Sequence, residues 1–230
     1  MIIKRHAAER GLTKIDWLTS HHSFSFSDYR DPQFMGFGPL RVINEDFVTP
    51  GEGFHTHSHA DMEIITYVLS GALAHRDSLG NGTVINTGEV QKMSAGTGIE
   101  HSEFNASKTD PVHFVQIWIR PNARGVTPSY GQITPANNNR LQLVVSPNGG
   151  NNIIPIHQDA ELHIGKLKSG EQLSVTTDRN RLYWAQWLDG VGAIDGESMA
   201  KGDGAAIQDV SGVTINSKEP SQFLWFSLPK

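Results

Sequence analysis

Histidines stand at positions 55, 57 and 59 in the run FHTHSHADME, Glu63 follows four residues beyond, and a second run, GIEHSEFN, sets Glu103 two residues after His101. Imidazole and carboxylate groups hold first-row transition ions and move protons near neutral pH. Residues two apart on an extended strand share a face. His55, His57 and His59 can therefore look into one cavity, and His101 and Glu103 can face it from a second strand. Two ligands from each strand would make a set of nitrogen and oxygen donors suited to iron, copper, nickel or zinc, and less suited to magnesium or calcium. The chain has no cysteine, so thiolate is excluded as ligand or nucleophile. His6, His21, His22, His75, His113, His157 and His163 lack a same-face partner within a second such run and are assigned no chemistry.

The elements that must position these residues are strands. EIITYVL (63–69), FVQIWI (114–119) and LQLVV (141–145) are rich in β-branched and aromatic residues, and SFSFSDY alternates from Ser23. Turn signals at Gly80-Asn81-Gly82 and Asn148-Gly149-Gly150 separate such runs, and helical periodicity is weak throughout. The Pro-, Gly- and Asn-rich stretch 120–139 reads as a connection between two β-units, with a boundary near residue 130.

The chain of 230 residues is long enough for two domains, and its net charge of -5 comes without a Lys/Arg cluster. Direct nucleic-acid binding is thereby disfavoured. Charges in MIIKRHAAERGL fall where a signal peptide is apolar, and no apolar run approaches the roughly 20 residues of a membrane span. A cytoplasmic monomer is expected.

A shift of 119 residues lays Gly51-Glu52 on Gly170-Glu171 and EIITYVLSG (63–71) on LYWAQWLDG (182–190). Further on, GEV at 88 and SKTDPVHFVQIWI are echoed by GDG at 202 and SKEPSQFLWFSL. Two echoes in one order indicate a duplicated β-unit. Under the shift His57 becomes Thr176, His59 becomes Asp178 and Glu63 becomes Leu182. The second copy keeps the pattern and loses the candidate ligands, which favours chemistry in the first.

Gly51, five residues, His57, one, His59, three, Glu63, seven and Gly71 resemble the first cupin motif, and Gly88 through SAGTGIEH to His101 and Asn105 resembles the second. FSDYRDPQFMGFGPLRVINEDFVTPGEGF, DMEIITYVLSG and VQKMSAGTGIEHSEFN are similar to pirins, the bicupin group that includes bacterial quercetinases. This resemblance implies an all-β bicupin, two β-barrel or jelly-roll domains in tandem. Residues 1–130 would bind the metal, and 131–230 would form a degenerate cupin without ligands. It implies His57, His59, His101 and Glu103 as ligands, with Glu63 in the barrel wall orienting a ligand histidine. Pirins usually show Gly in place of His55 and Pro in place of Ser58; His55 falls outside the implied set. The cofactor implied is one divalent transition ion, iron first, with copper, nickel, cobalt, manganese and zinc as alternatives.

The activity implied is a quercetin 2,3-dioxygenase, which opens a flavonol ring with O2 and releases carbon monoxide. Glu103 would take the proton of the flavonol 3-hydroxyl as catalytic base, and Phe37, Phe54 and Met93 are candidates for an apolar wall. The resemblance also implies a second class, a metal- and redox-dependent protein-binding module acting on a transcription regulator. A metal-dependent cupin isomerase fits the ligands but not the pirin-like segments.

Overall fold

The computed structural model describes residues 1–136 and 140–230. In chain order the strands are β1 (Ile2–Arg5), β2 (Gly11–Lys14), β3 (Leu18–His22), β4 (Leu40–Val48), β5 (Gly53–His59), β6 (Glu63–Ser70), β7 (Ala72–Asp77), β8 (Gly82–Asn86), β9 (Val90–Ser94), β10 (Ile99–Asn105) and β11 (Val112–Ile119). Then follow β12 (Ser129–Ile133), β13 (Leu141–Ser146), β14 (Ile154–Pro155), β15 (Glu161–Leu167), β16 (Gln172–Thr176), β17 (Arg181–Asp189), β18 (Val191–Ile194), β19 (Glu197–Ala200), β20 (Gly204–Gln208), β21 (Gly212–Ser217) and β22 (Ser221–Pro229). One 3-10 turn, Ala7–Glu9, is the sole helical element among the described residues, and no helix is long and apolar enough to cross a membrane.

Two compact units divide the chain, one of Gly11–Pro135 with Asn148–Gln158, the other of Met1–Arg10, Ala136–Pro147 and Asp159–Lys230. Each has a larger and a smaller antiparallel sheet. In the first the orders are β12-β9-β6-β11-β4-β3-β2 and β5-β10-β7-β8. In the second they are β1-β20-β17-β22-β15-β13 and β16-β21-β18-β19. The duplication read from spacing is visible in these orders, since β20-β17-β22-β15 repeats β9-β6-β11-β4 and β16-β21-β18-β19 repeats β5-β10-β7-β8. β1 takes the place in the second unit that β12 takes in the first, so the first ten residues belong with the C-terminal sheet rather than the N-terminal one. The chain passes between units after Arg10, Pro135, Pro147 and Gln158, where a single boundary near 130 was expected.

Two local expectations differ from the structure. SFSFSDY does not continue β3: Ser27 has φ 49, outside the extended region, and Phe26 bridges to Tyr29 in a tight reversal. Within 120–139, read as a connection, Ser129–Ile133 pairs with β9 as an edge strand; residues 137–139 lie outside the described residues.

Period-two alternation arranges the interior of the first unit in layers. Leu18, Val48, Val68, Leu73, Ile85, Val112 and Phe114 form one apolar cluster across both sheets. Ile64, Met93, Ala95 and Ile99, with Met62 and Trp118 against them, form another. On the same strands, the inward positions between those clusters are polar: Asp46, Thr66, His75, Gln91, His101, Glu103 and Gln116. Each fully buried aliphatic or aromatic side chain contributes about 1.5–3 kcal/mol, so the two clusters can hold a polar belt that would be costly alone. Among the described residues the second unit has no such belt at the corresponding strands. Val175, Val213 and Ile215 join a core with Trp187 and Phe223, whose rings stack at 4.9 Å.

Candidate metal centre

β5 and β10 run antiparallel with His57 opposite His101 and His59 opposite Ile99. Their register slips by one residue between His101 and Glu103, where Phe54, not His55, faces Glu103. A β-bulge of this kind inserts one extra residue and turns the strand beyond it by one position. Phe54 consequently packs against the Val48–Phe114 cluster, while His57 and His59 still point inward. His55 is turned away: it is exposed, with its ring edge-on to Phe104 at 5.2 Å. The expectation that all three histidines share a face is corrected by the bulge. Gly53 permits it, because a Cβ there would collide with the backbone of Glu103.

The rings of His57, His59 and His101 converge, with centroids 4.8 Å apart for His57 and His59, 4.4 Å for His57 and His101, and 5.0 Å for His59 and His101. One ring nitrogen from each lies within 4.8 Å of the others. His57 Nδ1–H donates to the His55 carbonyl oxygen at 2.7 Å; this assignment leaves Nε2 as a free lone pair. Burial, then the neighbouring His101 and His57, push His59 down to about 4. Burial, then His57 and His75, push His101 down to about 3. Both imidazoles are therefore neutral at pH 7, the form that binds metal.

His101 is 2% exposed, and neither of its ring nitrogens has a hydrogen-bond partner. Buried polar atoms are rarely left so. An ion between three imidazoles would satisfy one of them, and the nitrogen and oxygen donors fit a divalent transition ion.

Glu103 lies on the inward face of β10 with His101. Gln91 Nε2–H donates to its Oε1 at 3.1 Å, Thr66 Oγ1–H donates to the same atom at 3.4 Å, and Gln116 Nε2–H donates to Oε2 at 2.7 Å. Trp118 Nε1–H donates to Gln116 Oε1 at 3.2 Å, fixing that amide's orientation. Glu103 groups with His101 and His75, one ligand atom from each within 4.8 Å of the others. Both metal-capable groups found among the described residues lie in the first unit.

His75, assigned no chemistry from sequence, is fully buried opposite Glu103. Its Nε2 is 3.1 Å from Asp77 Oδ2, its Nδ1 has no partner, and its ring stacks on Tyr130 at 4.9 Å. The period-two pair His75 and Asp77 is a signal that the sequence carries. Glu63 behaves differently from expectation. It sits on the other face of β6 from Ile64 and Thr66, buried, and accepts from Lys92 Nζ at 3.1 Å and Ser94 Oγ at 2.9 Å. It contacts no ligand histidine, because strand alternation directs it out of the barrel interior. Asn105 is a strut, its amide donating to the carbonyls of Val48, Thr49 and Asp110. Met93 belongs to the apolar cluster next to Trp118, Phe54 to the opposite one; Phe37 bridges to Leu40.

The belt holds a second carboxyl, Asp46. Burial pushes it from 3.8 up to about 7, the charges of Glu103 and Glu45 add to this, and a hydrogen bond with Ser20 opposes it. Its Oδ1 has no partner. The neutral form is favoured in the fold, so stability is fullest below about pH 4 and declines as pH rises through about 7. The ionised state costs up to about 4 kcal/mol. An asparagine amide lacking acceptors returns about 1–3 kcal/mol of this. Asp46→Asn is thus expected to stabilise the metal-free protein by about 1–3 kcal/mol at pH 8 and to destabilise it by about 1–3 kcal/mol near pH 4, where the carboxyl is neutral and only the cost of the amide remains. Urea denaturation at both pH values measures it; an equal effect at the two would refute the titration of Asp46.

The sequence matches the family model described as Pirin over residues 5–119 and the one described as Quercetinase C-terminal cupin domain over residues 143–228. It is 45% identical over 229 residues to a protein of Escherichia coli strain K12 named quercetin 2,3-dioxygenase, covering 100% of this chain and 99% of that one. The crystal structure of YhhW from Escherichia coli superposes with a TM-score of 0.97 at 45% identity, covering 100% of this chain and 98% of that one. The structure of bacterial pirin YhhW in complex with nickel(II) gives 0.96 at 46%, covering 100% and 99%.

Proposed function

The chain belongs to the pirin family, and from that premise we propose that it is a metal-dependent dioxygenase that opens the heterocyclic ring of quercetin-like flavonols with O2 and releases carbon monoxide. The observation that carries this reading is the convergence of His57, His59 and buried, unpartnered His101 beside the acceptor-only carboxylate of Glu103. In this reading those four side chains hold the ion, and iron is favoured over copper, nickel, cobalt, manganese and zinc. The likeness to relatives named quercetin 2,3-dioxygenase, which extends over the whole chain, supports the substrate class.

The ion would supply a Lewis-acidic position that favours ionisation of a bound hydroxyl. Glu103 takes the proton of the flavonol 3-hydroxyl. Its two oxygens receive three donors from Thr66, Gln91 and Gln116, which leaves about one of a carboxylate's four acceptor positions, so Glu103 would hold the ion and that proton in turn. The same three side chains fix its direction before substrate arrives, as general-base catalysis requires. Trp118, its ring 5.0 Å from His59, and Met62, Ile64 and Met93 behind it, wall the approach with apolar surface that excludes water and accepts a flat aromatic ring.

Gln116→Leu should lower metal affinity about 10- to 100-fold, since it removes a donor to Glu103 and the acceptor of the Trp118 indole. Competition with a chromogenic chelator measures this, and an unaltered affinity would show that Gln116 does not set the carboxylate. The function is tested by incubating metal-loaded protein with quercetin in air, following flavonol absorbance and carbon monoxide together. Turnover is expected in the native protein and none above the free-metal rate in the His57→Ala, His101→Ala double variant. Equal rates in both would assign the loss of quercetin to free metal.

A further inference from the structure

Arginines distant in sequence gather in the first unit. Arg41 follows Leu40 on β4 and Arg120 follows Ile119, the last residue of β11; Leu40 and Ile119 are cross-strand partners. Arg120 lines a cleft of about 420 Å³ with Asp61, Met62, Pro121 and Arg124, and shares a second, of about 170 Å³, with Arg41. Arg41 Nη1–H donates to the Ser25 carbonyl oxygen at 2.7 Å. Burial, then the charges of Arg120 and Arg30, lower its pKa, which reports how closely these cations crowd. Among the described residues none of Arg30, Arg41, Arg120 and Arg124 forms an ion pair. The one carboxylate in the larger cleft, Asp61, accepts the Gly125 N–H at 2.7 Å.

Several like charges held together with a single carboxylate, Asp61, among them repel, and guanidinium groups match carboxylates in a planar, two-bond geometry. The chain itself ties the cluster to the metal centre. Met62 stands three residues after His59, and Arg120 two after Trp118, whose ring meets His59. From these placements we infer that the arginine-lined cleft binds a carboxylate carried by the aromatic substrate whose hydroxyl reaches the metal centre. The inference rests on the flavonol reading of that centre and adds to it a preference for anionic substrates. Arg120 and Arg124 hold the carboxylate, and Arg41 supplies further positive potential from the adjoining cleft. Charge-assisted contacts of this kind in a partly enclosed site strengthen binding about tenfold over a neutral analogue.

The test uses full-length, zinc-loaded protein and a matched pair of ligands, 3-hydroxyflavone and its 4′-carboxylate, titrated by flavone fluorescence at low ionic strength. The carboxylate is expected to bind about tenfold more tightly. In the Arg120→Gln, Arg124→Gln double variant, checked for an unchanged melting temperature, the ratio should fall towards one. Equal affinities in the native protein, or a preference that survives in the variant, would overturn the inference. Benzoate titrated alone, with arginine Nε–H signals followed by NMR, separates this from the flavonol reading. If neither flavone binds, that reading fails, while benzoate-induced shifts at Arg120 and Arg124 would still support the carboxylate site and their absence would overturn it. Shifts with inorganic phosphate but not benzoate would also overturn it.

Discussion

Replacement of His101 by alanine is expected to abolish the thermal stabilisation that a divalent transition ion gives the native protein. An ion that binds only the folded state adds about 4 kcal/mol at a thousandfold excess over its dissociation constant, roughly 8–16 °C for a chain of this size. His101 is the residue to remove because its ring lies 4.4 Å from that of His57 and 5.0 Å from that of His59 by centroid and neither of its nitrogens has a hydrogen-bond partner. The metal-free proteins should differ less than an ordinary core truncation would predict. Emptying a buried site costs about 2–5 kcal/mol, but removal of two desolvated, unpaired nitrogens relieves about 1–3 kcal/mol each. Scanning calorimetry with and without the ion reads both effects. A variant stabilised as strongly as the native protein would place the ion elsewhere.

Glu103→Gln is expected to lower kcat with a flavonol about 10²- to 10⁴-fold at saturating metal, the usual contribution of a positioned base. Glutamine is a poor substitute here for a second reason. Position 103 faces three donors, from Thr66, Gln91 and Gln116, and they engage both oxygens. A glutamine must present an NH2 to at least one of them, where only an acceptor is tolerated. Metal affinity should therefore fall as well, by about 10- to 100-fold, so kcat must be measured where the variant is fully loaded. A loss of less than about tenfold under those conditions would remove Glu103 from the role of base.

The strands are legible in the sequence because alternation is a local property of the chain; alternation alone also puts His55 beside His57 and His59, and only the resemblance to pirins singles out His57, His59 and His101. The duplication is legible too, since matched glycines outlast side-chain divergence. Other features depend on contacts that spacing does not encode. The bulge that rotates His55 away lies in the register between β5 and β10, and the run FHTHSH looks identical with or without it. Glu63 has motif spacing, yet faces Lys92 on the other side of its strand. Gln91 and Gln116 look like ordinary strand polar residues until the fold brings both to Glu103. The place of β1 in the C-terminal unit follows from which sheet has an unfilled edge, and the arginines are scattered from 30 to 124. In each case the deciding information is a long-range pairing.

The most direct test is anomalous diffraction at the metal edge from crystals of the metal-loaded protein. One peak is expected, bonded to nitrogens of His57, His59 and His101 and to an oxygen of Glu103, at roughly 2.0–2.3 Å. A peak bonded to His75, His101 and Glu103 with His57 and His59 left out, or one within residues 159–230, would contradict it.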